Sequence, residues 1–362
     1  MRLMRRTSSA VFMVMVASIY CLLWGQSPDS ARPIGKPLKI AIPLGLPPFE
    51  FPADNPPTAE TVRLGKLLFY ERRLSADESI SCSSCHDPRY GFADRRPVSL
   101  GVGAQPGGRN APPIANVAYL PATFWDGRAA TLEKQAEQPV LNPIEMAHTL
   151  GGVEDRLNAD AAYRQLFQQA YGPGPVTYDK VAKALASFER TLLVGNSPFD
   201  RWYFSGDEHA MSEAARRGFE VFRDPARGNC VACHLVDQKY ALFTDQQFRN
   251  TGIGFSEGVQ HDRGRYDITH QAADLGAFKT PSLRNVARTA PYMHDGSLRT
   301  LDEVLNFYSN GGNPNPNIDS RLHPARFGAG DREDLIEFLK SLTGEVPWEA
   351  LPLDLPDRTT KR

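Results

Sequence analysis

An all-α fold made of two similar halves is predicted from three observations. Apolar residues recur at helical spacing while strand patterns are scarce, a five-residue cysteine unit occurs twice, and a longer segment repeats at a fixed offset. Cys82-Ser83-Ser84-Cys85-His86 returns as Cys230-Val231-Ala232-Cys233-His234, which uses four of the five cysteines. In such a unit the thiols bond to the vinyl groups of a haem, and residues i, i+3 and i+4 share a face of a helical turn, so the histidine lies beneath the iron. Zinc is the competing reading, but paired zinc knuckles sit about 15–20 residues apart and need no histidine after the second cysteine. Two covalently bound haem c groups are therefore expected, on Cys82, Cys85, Cys230 and Cys233, with His86 and His234 as proximal iron ligands. The fold expectation becomes two cytochrome c-like haem domains with long loops, at residues 36–200 and 201–345, followed by a tail at 346–362.

Taken in order, residues 1–6 carry three arginines and residues 10–24 form an apolar run, too short for a comfortable bilayer span. Residues 1–30 are read as a signal peptide that exports the chain to the periplasm, with an uncleaved anchor as the alternative. Cys21 falls in this segment, so the mature chain keeps no unpaired thiol. An amphipathic helix over 58–70, with Val62, Leu64, Leu67, Leu68 and Phe69 on its apolar face, leads to the first cysteine unit. Helices over 153–171 and 178–194 follow, the second with Thr177 as N-cap. A helix over 211–222 precedes the second unit as 58–70 precedes the first, and 331–342 closes the fold. Pro and Gly, 29 of each, cluster at 43–57, 101–113, 172–175 and 311–316 and predict long ordered loops. With 41 basic and 42 acidic residues nothing marks a nucleic-acid or membrane-surface binder, so a soluble partner is expected.

At an offset of 169, Pro112, Asn116, Val117, Ala118, Asp126, Gly127, Thr131 and Leu132 fall on Pro281, Asn285, Val286, Ala287, Asp295, Gly296, Thr300 and Leu301. These identities predict a duplicated module in which each half owns a haem and a matching segment on the other side of it.

Together these residues resemble the bacterial di-haem cytochrome c peroxidases and the MauG-like di-haem enzymes. The resemblance rests on Leu64-Gly65-Lys66-Leu67-Leu68-Phe69, Ile80-Ser81-Cys82, Arg109-Asn110-Ala111-Pro112, Phe124-Trp125-Asp126-Gly127-Arg128, Asn142-Pro143-Ile144-Glu145-Met146, Thr280-Pro281-Ser282-Leu283-Arg284-Asn285 and His294-Asp295-Gly296. It implies that hydrogen peroxide reacts at the N-terminal haem while the C-terminal haem passes or stores electrons. Members of the peroxidase branch close the first haem with a histidine after the position of Gly101; here that position is Val102, which implies an open iron. The family's acid/base glutamate falls on Glu145, where a carboxylate above the iron takes a proton from one peroxide oxygen and returns it to the other. Gln135 and Pro139 fall on residues lining the same pocket. Trp125 falls on the inter-haem tryptophan, and Arg128 is expected against a haem propionate. Tyr308, the repeat mate of Pro139, falls where peroxidases carry a methionine ligand to the second iron and MauG-like members a tyrosine; Met293 and His294 are the rival ligands. A calcium ion is implied between the domains, held by the Asn110 side chain and the carbonyls of Thr289 and Pro291. His148, His209, His261, His270 and His323 have no ligand spacing and are read as structural or exposed.

Three functions compete. The first is a peroxide-reducing enzyme fed by a small soluble cytochrome c or cupredoxin. The second, favoured by Val102 and Tyr308, is a MauG-like enzyme that oxidises a protein substrate through a high-valent iron state, although the surface tryptophan of its best-known version is Gly228 here. The third is a non-catalytic di-haem electron carrier, against which Glu145 and the absent histidine weigh. Association as a homodimer is left open.

Overall fold

The computed structural model describes residues 31–347; the expected signal segment and most of the expected tail lie outside the described residues. The described chain is mainly helical: α1 (Ala59–Phe69), α2 (Leu132–Leu141), α3 (Leu150–Ala159), α4 (Ala161–Tyr171), α5 (Tyr178–Glu189), α6 (Pro198–Ser205), α7 (Glu213–Arg223), α8 (Tyr266–Thr269), α9 (Leu301–Ser309) and α10 (Asp331–Ser341). Four two-residue strands form two antiparallel pairs, β1 (Phe248–Arg249) with β4 (Phe278–Lys279) and β2 (Phe255–Ser256) with β3 (Val259–Gln260). Phe248 faces Lys279 and Arg249 faces Phe278 across the first pair.

Local chemistry sets the helix ends. Thr58 caps α1 through a reciprocal bond with Thr61, and Leu64, Leu68 and Phe69 bury one face. The helix expected over 153–171 is two helices, because Asp160 takes an extended conformation and its carboxylate accepts from the N–H groups of Ala162 and Tyr163. The apolar period runs on across this break, so periodicity alone misses it. Thr177 sits at the start of α5 but its hydroxyl makes no capping bond; the Tyr178 N–H donates to Glu154 at 2.7 Å instead. Nor does α5 run to 194. Asn116 reaches in from the repeated segment, accepting from the Val194 N–H at 2.8 Å and donating to the Val194 carbonyl at 2.9 Å.

The buried side chains divide into two hydrophobic clusters, one drawn from Leu64 to Leu192 and the other from Phe199 to Leu342. In the first, α1 packs across α5; in the second, α7 packs across α10. Both crossings close on a glycine: a Cβ on Gly65 would fall on the Ala184 carbonyl, and one on Gly218 on the Asp334 carbonyl. The repeated segment is also built twice. Asn116 and Asn285 are left-handed, each opens a short 3-10 turn, and the bridges Thr123 to Ala129 and Tyr292 to Leu298 match. The halves are pinned together by Arg284, which is paired with Asp200 in its own half and donates to the Gly45 carbonyl at 2.7 Å, and by Arg109, which bonds Asp126 at 2.6 Å and Asp262 at 2.7 Å.

The Gly218→Ala change is expected to lower stability by about 1–3 kcal/mol, the usual cost of overpacking. Urea unfolding of the holoprotein measures it, and an unchanged midpoint would contradict the close crossing of α7 and α10.

Candidate active site

Each cysteine unit forms one 3-10 turn, Cys82–Ser84 and Cys230–Ala232, which brings the two thiols and the histidine to one side of the backbone. All four thiols are free and half-buried, with no disulfide between them. Burial pushes Cys82 and Cys230 up to about 12, so they are neutral thiols rather than reactive thiolates. His86 Nδ1 lies 3.2 Å from the Phe92 carbonyl and His234 Nδ1 lies 2.9 Å from the Phe243 carbonyl. A carbonyl only accepts, so in each ring the proton sits on Nδ1 and the Nε2 lone pair is left for a metal. Burial lowers both imidazoles below their ordinary value and keeps them neutral, as ligation requires.

A cavity of about 640 Å³ opens over the second unit, lined by Cys230, Cys233, His234, Tyr308, Met293 and Lys279 among others. That volume lies within the about 300–1,000 Å³ of cofactor pockets. The donor set fits a haem: two neutral thiols beside an imidazole whose outer nitrogen is fixed, facing a mainly apolar cavity. Tyr308 lines this cavity, and its hydroxyl makes no hydrogen bond among the described residues. Burial raises the phenol well above its ordinary value in the absence of a cation to ionise it. Both rival ligands line the same cavity. The His294 ring is stacked on Phe278, centroids 3.5 Å apart, and burial lowers it to about 4.

Across the first unit stands a different group. Glu145 is held by the Asn142 amide, which donates to it at 2.7 Å, and its own carbonyl accepts from the Val102 N–H at 2.8 Å. The loop that carries Val102 therefore packs on the glutamate's turn, with the Val102 side chain buried. Burial raises the Glu145 carboxyl; the Asn142 hydrogen bond and the Arg128 charge oppose this without cancelling it. Gln135 and Pro139 are on α2, half-buried, and the Met146 N–H donates to the Pro139 carbonyl, tying that helix to the turn.

Trp125 sits where the halves meet. Its indole donates to the Asn110 carbonyl at 2.8 Å, its ring centroid is 6.5 Å from that of His294, and its carbonyl accepts from the Lys279 N–H. It also lines the cavity of the second half. Asn110 is buried and its side-chain amide donates to the Arg96 carbonyl at 2.9 Å, leaving its side-chain oxygen without a hydrogen bond among the described residues. Asn110, Thr289 and Pro291 share the cavity lining. The Arg128 guanidinium bonds both oxygens of Asp126 and the side-chain oxygen of Gln138 and lies 3.5 Å over the Phe124 ring. Asp126 offers it a fixed carboxylate two residues away.

Sequence reasoning passed over Asn142, although it lies in the same string as Glu145, and Asp262, whose pairing with Arg109 spans 153 positions and carries no local signal.

The site defined by fold and residues is that of a protein with two haem groups in asymmetric surroundings. A family model described as "Di-haem cytochrome c peroxidase" matches residues 59–209. The chain is 41% identical over 302 residues to the methylamine utilization protein MauG of Methylorubrum extorquens, covering 83% of each chain. It is 35% identical over 309 residues to a cytochrome c551 peroxidase of Nitrosomonas europaea, covering 83% of this chain and 85% of that one. A solved MauG-like protein associated with microbial copper homeostasis superposes with a TM-score of 0.77 at 34% identity, covering 85% of this chain and 96% of that one. The chain belongs to the di-haem cytochrome c peroxidase and MauG family and is a haem-dependent oxidoreductase of the peroxidase type.

Asn142→Ala removes the hydrogen bond that most opposes burial at Glu145, so the carboxyl is expected to hold its proton to higher pH. Infrared titration of its C=O stretch, assigned by difference from Glu145→Gln, measures this; an unmoved or lowered midpoint would contradict the described environment.

Proposed function

We propose that the protein carries two haem c groups, on Cys82/Cys85/His86 and Cys230/Cys233/His234, and reduces hydrogen peroxide at the first using electrons that pass through the second. The observation that carries this reading is the unlike pair of groups facing the two cysteine units: a half-buried, hydrogen-bonded Glu145 against Val102 in one half, and in the other a Tyr308 whose hydroxyl makes no hydrogen bond among the described residues. When bound, the first haem supplies an iron that takes up peroxide, and the second an electron store. The rest falls to the chain. His86 and His234 present their outer nitrogens as proximal ligands. Glu145 takes a proton from one peroxide oxygen and delivers it to the other, so that water leaves. Asn142 aims that carboxylate, and Gln135 on the adjoining helix orients the substrate. Trp125, between the halves, would pass electrons between the two haems, and Tyr308 would ligate the second iron as a phenolate, which would favour its ferric form. Asn110, with the carbonyls of Thr289 and Pro291, holds a calcium ion beside this bridge.

Export by residues 1–30 accounts for haem attachment in the periplasm, where a small cytochrome c or cupredoxin serves as reductant. A second reading is favoured by Tyr308 and by the 41% identity to a MauG: peroxide oxidises a protein substrate instead of being reduced by a carrier. Here Gly228, where the best-known version of that enzyme has its surface tryptophan, packs on the Val221 carbonyl.

Glu145→Gln should slow the reaction with peroxide by 10²-fold or more, on the order of a general acid/base contribution, with haem content intact. Stopped-flow absorbance measures it, and parental kinetics would remove Glu145 from the mechanism. Tyr308→Phe should change the ferric absorption and EPR spectrum of the second haem alone; identical spectra would reject the ligand.

A further inference from the structure

Lys279 is a cation without a counter-charge among the described residues. It sits on β4, is nine-tenths buried, and lines the cavity over the second cysteine unit. Its ammonium makes no hydrogen bond and no ion pair among the described residues. The other cations around that cavity are placed differently. Arg227 is paired with Asp224 and Asp331, Arg249 with Asp245 and Asp319, and Arg321 with Asp319, while Arg326 is exposed to water. Arg128, the residue expected at a propionate, is engaged by Asp126. A buried ammonium without partners is disfavoured unless an anion reaches it, and burial alone brings Lys279 down to about 8. The haem that fits this cavity brings two carboxylates of its own.

We propose that Lys279 binds a propionate carboxylate of the second haem and thereby positions that haem at the inter-half junction. The inference rests on the two-haem reading above. Its geometric basis is the double attachment of Lys279. The main-chain N–H donates to the Trp125 carbonyl at 2.8 Å, and pairing with Phe248 holds its backbone in the β1–β4 ladder, so the ammonium has a fixed base next to the bridging indole. Lys279 is a positioning residue and touches no reacting atom. Its charge has two consequences. An ammonium beside the propionate offsets the negative charge that favours ferric iron, and so raises the potential of the second haem. It also favours the ionised carboxylate, and so moves propionate titration to lower pH.

The test uses the holoprotein and its Lys279→Met and Lys279→Arg variants, with haem counted by pyridine haemochrome and the second haem's midpoint potential followed against pH. In Lys279→Met, two haems are expected with a lower potential wherever the propionate is ionised. The pH inflection of the potential should move up by about one unit or more, as for loss of an adjacent opposite charge. Lys279→Arg should restore both. A Lys279→Met holoprotein with parental potential and parental inflection would overturn the proposal. So would an Lys279→Arg protein that behaves like Lys279→Met. Should Lys279→Met fail to mature, the parent alone decides. The propionate bending mode of the second haem, in resonance Raman spectra, must keep its ionised position as pH falls through the ordinary carboxylic-acid range, and its titration within that range would overturn the proposal. A parent with only one haem would defeat the two-haem reading instead, so the two failures are distinguishable.

Discussion

The arrangement depends on two main-chain carbonyls, those of Phe92 and Phe243, each of which holds the Nδ1 proton of the histidine in its cysteine unit. Both phenylalanines have left-handed backbone, with φ of 61° and 52°, a region that bulky side chains avoid. Such a conformation costs of order 1–3 kcal/mol, and burying a phenylalanine ring gains about 1.5–3 kcal/mol. Both rings are fully buried: Phe92 packs edge-on to Phe69 of α1, and Phe243 against Phe199 and Phe222. The hydrophobic clusters thus lock the backbone that aims each carbonyl, and each carbonyl aims an imidazole. Core packing and the aim of the imidazoles are in this sense one construction, made twice.

What is not made twice is the far side of each cavity. The repeated segment begins in both halves with a left-handed asparagine and ends in a helix capped by threonine, Thr131 on α2 and Thr300 on α9. Two turns farther, α2 carries Pro139 and α9 carries Tyr308. Proline offers no donor or ligand, and the turn after α2 brings Glu145 to that half. Tyrosine offers a phenol, which lines the cavity over the second cysteine unit. A single scaffold thereby presents different side chains to its two cysteine units. The Trp125 and Lys279 backbones meet between them, so both sites feel any shift at the junction.

Much of this was legible in the sequence, for identifiable reasons. The cysteine units carry their chemistry within five residues, and the duplicated segment declares itself by a fixed offset. The helix over 58–70 is found to within a residue because its cap and apolar face are both local. The split at Asp160 was not legible, since an aspartate in a helical period becomes an N-cap only when the chain turns there. Nor was the end of α5, which is set by Asn116 from 78 positions away. In the site, Glu145 is visible only through its string of neighbours, since a lone glutamate in a loop is ordinarily solvated. The engagement of Arg128 by Asp126 and the isolation of Lys279 are properties of packing, with no signature in composition or spacing.

The central claim is that the first iron is open to peroxide while the second is capped. EPR of the resting ferric holoprotein, recorded before and after one equivalent of hydrogen peroxide, tests it most directly. The account predicts a high-spin signal from the first haem that peroxide abolishes, beside a low-spin signal from the second. Two low-spin signals, both indifferent to peroxide, would contradict it.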